Sequence, residues 1–396
     1  MKRILFVTNR NVLTTCGELR LIKNRAEFLY KTYDIATDFI VWGKKSRITS
    51  VEREYIYAGG MTSEYSFSFE QIYKMVITYK EILCEIEKKL RSKEYCAVVI
   101  SGPVLPILAR KLKKRYKIDV ILDIHGAQED HLEVANGKSF KRRCLANFLY
   151  HTDRFSLKIA LKVVDGCFVV TKALEEYIKK MYSINNNIKF FIVPCAPNLD
   201  EIHPIKYIEK RKIYRDRYNL ADDELAFVYS GGMSAWQCIE ETISLYKSLS
   251  QKIDLSSKLL IFSHNIDDIK SMIEGEDSII VDSYKPDELK YALYLGDFAF
   301  LLRRDCATNN VAFPNKFLEY IASGMKVIST PYVYEIAGQI SSNKVGFLYD
   351  FSEDIEPLCE YIRQNSLNNP DFDKLENMIY NNSFKKSLSS FVKFYG

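Results

Sequence analysis

Short apolar runs alternate with longer amphipathic stretches along this chain, the pattern of parallel strands covered by helices. In the first half the runs predict strands at 3–8, 97–100, 120–123, 166–170 and 190–193. The stretches between predict helices at 19–31, 69–91, 104–116, 145–163 and 172–182. In the second of these, Ile72, Val76, Tyr79, Ile82, Leu83 and Ile86 recur at the spacing of a core-facing helix stripe.

The alternation breaks at Val193-Pro194-Cys195-Ala196-Pro197-Asn198 and stays broken to His203-Pro204. Three prolines in eleven residues cannot continue a helix or a central strand, so the segment reads as a linker. The pattern then restarts, with strands predicted at 226–229, 258–262, 278–281, 298–302 and 326–329. Helices are expected at 239–250, 286–294 and 315–323, and residues 384–394 read as a helix without a strand partner. An α/β architecture follows, two Rossmann-like doubly wound parallel-sheet domains facing across a cleft. Ligands of such sheets sit at the carboxyl ends of the strands.

At 396 residues, 47% hydrophobic and 27% charged, each half can bury an ordinary core. No window approaches 18 consecutive apolar residues, so no membrane-spanning helix is predicted. The apolar run after Met1-Lys2-Arg3 stops at Thr8-Asn9-Arg10, too soon for a signal peptide. Nine cysteines without a C-x-x-C pair speak against zinc and a disulfide framework, and for a cytoplasmic protein with reduced thiols.

The net charge of +5 hides an asymmetry: residues 1–200 carry 34 Lys and Arg against 22 Asp and Glu, the remainder 22 against 29. The densest basic clusters are 111–117 (KLKKRYK) and 138–143 (KSFKRR). They fit either solvated helix faces or a contact with an anionic membrane surface. No motif for nucleic acid accompanies them.

Several segments carry candidate chemistry. His125 follows a buried strand in Asp123-Ile124-His125-Gly126, where it serves either a ligand or a structural hydrogen bond. Gly17 lies in the turn after the first strand, where backbone N–H groups and a helix N-terminus can face an anion. The fingerprint G-x-G-x-x-G is absent, which disfavours a dehydrogenase. Gly231 and Gly232 close the first strand of the second half, as a tight turn or as room for a ligand. The richest stretch is 301–330, LLRRDCATNNVAFPNKFLEYIASGMKVIST. Arg303 and Arg304 after a strand, with Asn315 and Lys316 at a helix start, make a plausible diphosphate site. Glu319, one turn on, can accept hydrogen bonds from two vicinal hydroxyls.

That stretch resembles the donor-binding signature of GT-B glycosyltransferases, family 4 and its relatives: a strand, a polar loop, then P-x-K-x-x-E-Y-x-A-x-G-x-x-V-I. The segments at 164–171, 192–204, 284–302 and 343–347 are similar to other parts of that family, and the likeness covers most of residues 160–350. It implies a GT-B fold: residues 1–195 as the acceptor-side domain, 196–375 as the nucleotide-sugar donor domain, and 376–396 packing back on the first. Glu319 matches the second glutamate of the family's E-x7-E motif, which binds the donor ribose. His125 matches the histidine beside the transferred sugar, and Gly17 falls in the loop lining the diphosphate. Asn315 and Lys316 correspond to positions that meet the sugar or phosphates. The first glutamate of the motif falls at Val311, and the basic residues usual after Gly231-Gly232 are missing, which leaves the phosphate role to Arg303, Arg304 and Lys316.

The function this resemblance implies is a hexosyltransferase-type glycosyltransferase, retaining as the family is, acting in cell-surface polysaccharide biosynthesis. Its partners are a nucleotide sugar and a saccharide or lipid-linked acceptor, with peripheral membrane contact through the basic half, at the inner face of the membrane. No metal or further cofactor is implied: the one D-x-D pair, Asp371 and Asp373 beside Pro370, reads as a surface loop. The rivals are a GT-B sugar-nucleotide epimerase and a catalytically silent GT-B subunit that binds a partner glycosyltransferase.

Overall fold

The computed structural model describes residues 2–9, 17–44, 53–67, 72–184, 188–194, 204–366 and 370–395. Of 17–20, 42–44, 53–55, 64–67, 72–78, 204–206, 235 and 286 it describes the backbone alone. The chain divides into two compact units, Met1–Cys195 with Ser383–Gly396, and Ala196–Asn382.

Unit 1 runs β1 (Lys2–Thr8), α1 (Gly17–Tyr33), β2 (Ile35–Lys44), β3 (Arg53–Tyr57), β4 (Gly60–Phe67), α2 (Ile72–Ser92) and β5 (Ala97–Ser101). It continues through α3 (Leu108–Arg115), β6 (Asp119–Ile124), α4 (Asp130–Ala135), α5 (Phe140–Ala160), β7 (Gly166–Val169), α6 (Lys172–Tyr182) and β8 (Lys189–Ile192). Its sheet has the order β3-β4-β2-β1-β5-β6-β7-β8, parallel except for the edge pair β3 and β4. The central strands are buried on both faces, which is why they read as unbroken apolar runs.

Three of these strands, β2, β3 and β4, lie where no strand was expected. Asp38 interrupts the apolar pattern of β2, yet it is fully buried. Arg3 (3.2 Å), Lys93 (3.0 Å), Tyr95 (2.6 Å) and the Met61 N–H (2.7 Å) satisfy it, all remote in sequence. Gly60 admits the close approach of β4, because a Cβ there would stand 2.0 Å from the Thr37 carbonyl oxygen. The face expected on α2 is buried at Ile82, Leu83 and Ile86, while the Ile72 and Val76 side chains lie outside the described residues.

Unit 2 runs α7 (Pro204–Arg217), β9 (Leu225–Ser230), α8 (Ile239–Lys252), β10 (Ser257–Phe262), α9 (Ile266–Met272), β11 (Ile279–Asp282), α10 (Pro286–Ala292) and β12 (Phe298–Leu301). There follow α11 (Ala307–Asn310), α12 (Asn315–Ala322), β13 (Lys326–Ser329), α13 (Tyr334–Asn343), β14 (Gly346–Leu348), α14 (Glu356–Asn365) and α15 (Phe372–Asn382). The parallel sheet has the order β11-β10-β9-β12-β13-β14. Its core is aromatic, with Phe227 stacked on Phe298 and on Phe300 at 5.5 Å each.

Two expectations are corrected. Asp371 and Asp373 do not form a loop: Asp371 accepts the Lys374 N–H at 3.1 Å and caps α15, whose first turn contains Asp373. The helix expected from 145 begins at Phe140, so three bases of the 138–143 cluster lie in its first turn.

The chain returns to unit 1 through α16 (Phe384–Ser387) and α17 (Ser389–Tyr395). Phe391 is fully buried there, its ring 4.9 Å from Phe168 and 5.5 Å from Phe191. Phe391→Ala should cost about 3–5 kcal/mol, the usual loss for a buried aromatic, read as an earlier urea transition of unit 1.

Candidate functional site

In unit 2, β10 and β11 extend the sheet on one side of β9, and β13 and β14 extend it beyond β12 on the other. Chain crossovers therefore leave β9 and β12 in opposite directions, and the crevice between their carboxyl ends stays uncovered. Gly231-Gly232 follows β9 and Leu302-Arg303 follows β12, so residues 70 apart in sequence are brought to one switch point.

The turn after β9 is fixed from several sides. The Tyr229 hydroxyl donates to the Gly232 carbonyl at 2.7 Å, and the Gly231 N–H donates to Phe262 O at 3.1 Å. A Cβ on Gly231 would stand 3.0 Å from the Tyr229 hydroxyl and 3.4 Å from Gln237 Oε1. Gln237 Oε1 is itself buried and has no hydrogen-bond partner among the described residues. The buried Tyr320 hydroxyl of α12 accepts the Ser230 N–H at 2.8 Å, tying the helix of Glu319 to the end of β9.

Arg303 is buried at this point. Its Nη1 donates to Leu302 O at 2.8 Å and to Gln237 O at 3.5 Å, while Thr330 Oγ1 accepts its backbone N–H at 3.0 Å. Burial pushes the guanidinium's pKa down, against the pull of Tyr229, Cys238, Tyr320 and Cys306. An arginine stays cationic even so. Among the described residues no carboxylate pairs with it. A buried charge in this state costs several kcal/mol, which a bound anion would offset.

The other residues expected here divide. Arg304 is exposed and forms a two-armed contact with Glu241 of α8, so it is held away from Arg303. Lys316 and Glu319 pair at 2.8 Å on the first turns of α12, which Asn315 opens after Pro314. Val311 is buried, in the place of the carboxylate that the resemblance leads one to look for.

In unit 1, His125 stands just beyond β6 with its ring largely buried. Its Nε2 lies 3.0 Å from Asp123 Oδ2, and Arg25 of α1 grips the same carboxylate with both arms, at 3.0 and 2.7 Å. Arg25 also lies 4.3 Å from the centre of the Phe168 ring. Burial alone would raise the Asp123 pKa, but the charges of Arg25 and His125 outweigh it and hold the carboxyl well below its usual range. With Asp123 ionised, the contact places a proton on His125 Nε2. Gly17 is the first residue of α1, and the loop before it lies outside the described residues.

Arg25, Gln237 and Tyr320 escape a reading of the sequence. Each is one polar residue in a helix or turn, and only the fold brings it to a strand end. Tyr320 alone had a signal, as the tyrosine after the signature glutamate.

Buried Arg25 and Arg303 should respond oppositely to mutation. Arg25→Met strands the Asp123 carboxylate and should cost about 3–5 kcal/mol in urea denaturation. Arg303→Met strands no charge, only the Leu302 and Gln237 carbonyls, and should leave the ligand-free protein unchanged or more stable by about 1–4 kcal/mol. The pH dependence follows from Asp123. Its pKa is lowered on folding, so its stabilisation is full above the unfolded value near ~3.9 and is lost as pH falls toward the folded one. Asp123→Asn should flatten that acid limb of the urea midpoint plotted against pH.

No family model matches the sequence, and no curated protein matches it either. Solved structures do. A glycosyltransferase from Rickettsia africae superposes with a TM-score of 0.68 at 16% identity, over 100% of this chain and 97% of its own. WaaG, a glycosyltransferase involved in lipopolysaccharide biosynthesis, gives 0.62 at 14% over 99% of both chains. A UDP-forming α,α-trehalose-phosphate synthase from Burkholderia xenovorans, in complex with glucose-6-phosphate, gives 0.67 at 11% over 100% of both. With its two doubly wound units, this chain has the GT-B fold.

Proposed function

We propose that the protein is a glycosyltransferase that takes a sugar from a nucleoside diphosphate sugar bound at the switch point of unit 2. The observation that carries this reading is Arg303, a buried cation without a carboxylate partner among the described residues, beside Gly231-Gly232 and the unpaired Gln237 Oε1. The superposed glycosyltransferases, one of them UDP-forming, lend support and make a UDP-hexose the first donor to try.

In this reading the bond between the anomeric carbon and the diphosphate oxygen breaks, and the leaving diphosphate gains one negative charge. Arg303 and Lys316 stabilise it as it develops. Glu319 accepts from the vicinal ribose hydroxyls, which requires it to share or release Lys316. An acceptor hydroxyl bonds to the anomeric carbon from the leaving-group face, giving retention, and its proton passes to a phosphate oxygen. His125, oriented by Asp123, holds the sugar in the role that the family resemblance gives it. The charges are met by side chains, so the reading needs no metal or further cofactor. The acceptor is a saccharide or lipid-linked sugar of cell-surface polysaccharide assembly, met in the cytoplasm at the inner face of the membrane.

Val311 favours a second reading, a catalytically silent subunit that binds a partner glycosyltransferase, because a buried valine cannot contact sugar hydroxyls as a carboxylate does. The test is a panel of UDP-, GDP-, dTDP-, ADP- and CMP-sugars read by thermal shift and donor hydrolysis. One donor near 100 times its dissociation constant should add about 2.7 kcal/mol of stability. Glu319→Ala and Arg303→Met should abolish the shift while the proteins remain folded. A shift without turnover in any acceptor screen selects the silent subunit, and no shift with any donor overturns the transferase reading and likewise favours the silent subunit.

A further inference from the structure

The two basic clusters of unit 1 have different fates. In the first, Lys113 pairs with Asp165 at 2.9 Å and Arg115 pairs with Glu87, so two of its five charges serve the fold. In the second, Lys138, Lys141, Arg142 and Arg143 form no side-chain salt bridge among the described residues. Three of them occupy the first turn of α5, where the helix dipole disfavours cations. Folding stability does not account for that placement.

The same helix turns apolar side chains to solvent. Phe140 is 72% exposed, Leu145 57%, Phe148 46% and Phe155 61%. At ~100° per residue these four fall within about 140° of arc, with Lys141 and Lys158 inside it. Ala146, Ser156, Leu157 and Ala160 form the buried side. Between Lys138 and Lys158 the sole acidic residue is Asp153, and it is engaged by the Val104 N–H at 2.9 Å. Beside Phe155 opens a cavity of about 260 Å³, lined by Arg154, Lys158, Met181, Tyr182 and Ser183.

We infer that the exposed face of α5 docks on an anionic lipid surface: the phenylalanines enter the headgroup boundary, the first-turn bases meet lipid phosphates, and the cavity beside Phe155 takes one headgroup phosphate. Large apolar side chains on a solvated face are costly to leave in water, and a row of unpaired cations around them selects a negatively charged apolar boundary over a neutral one. A protein partner would need an apolar surface of matching acidity; a bilayer with anionic lipid presents both properties without a specific sequence. This deepens the acceptor side of the proposed function. It is tested without donor, so its failure leaves the nucleotide-sugar reading standing and the reverse also holds.

The experiment is flotation of the full chain with vesicles of phosphatidylcholine, alone or with phosphatidylglycerol, at low and physiological salt. The protein should float with the mixed vesicles and stay behind with the neutral ones. The triple variant Phe140→Ser, Phe148→Ser, Phe155→Ser should lower partitioning roughly tenfold or more at physiological salt, where apolar insertion matters most. Lys141→Glu with Lys158→Glu should remove the preference for anionic vesicles. Both variants alter exposed positions, and unchanged thermal unfolding should confirm that they fold. In Phe155→Trp, quenching by lipids brominated in the upper acyl chain should report entry of that side chain. Equal binding to both vesicle types, wild-type flotation by the triple variant, or self-association abolished by the same substitutions would each overturn the inference.

Discussion

Parallel strands must all end at the same edge of their sheet, and each must be joined to the next by a crossover that covers one face. Where consecutive crossovers leave in opposite directions, neighbouring strand ends remain uncovered. That constraint sets the switch point of the sheet of unit 2. β9 and β12 are neighbours in the sheet although β10 and β11 intervene in the chain, and their ends hold Gly231-Gly232 and Arg303. The aromatic stack of Phe227 with Phe298 and Phe300 keeps the two strands together beneath. Tyr320 then fastens α12 to the same place, so that Glu319 inherits its position from a hydroxyl bonded to Ser230.

Asp38, Asp123 and Arg303 show three ways in which buried charge is handled. Asp38 is surrounded by donors until its cost is met, and it serves only the sheet. Asp123 is gripped by Arg25 and in turn orients His125, so a stabilising pair also prepares a ring nitrogen. Arg303 is given main-chain carbonyls and no carboxylate among the described residues. The first two are closed arrangements. The third is open: among the described residues no carboxylate closes it.

Much of this was legible in the residues. The central strands of both sheets announce themselves because burial on both faces leaves no room for polar positions, and the stretch around Glu319 carries its pattern in consecutive residues. What was not legible depended on distant partners. β2 contains an acid whose neutralising groups come from β1 and from residues 93 and 95, so local hydrophobicity understated it. The capping role of Asp371 requires knowing that a helix starts beside it. Arg303 and Arg304 look equivalent in sequence, yet one is buried and the other is spent on Glu241, a difference set by which way each leaves the end of β12.

The return of the chain to unit 1 also sets an order of events. Phe391, packed between Phe168 and Phe191, is supplied only after all of unit 2 has been made. On the ribosome, domains ordinarily fold from the N-terminal end as they emerge. Here the domain begun first is completed last, and the one begun second has its whole sequence available earlier. Until α17 arrives, the nascent unit 1 presents an uncovered aromatic face, which makes that interval the one in which the chain is most in need of protection from its neighbours.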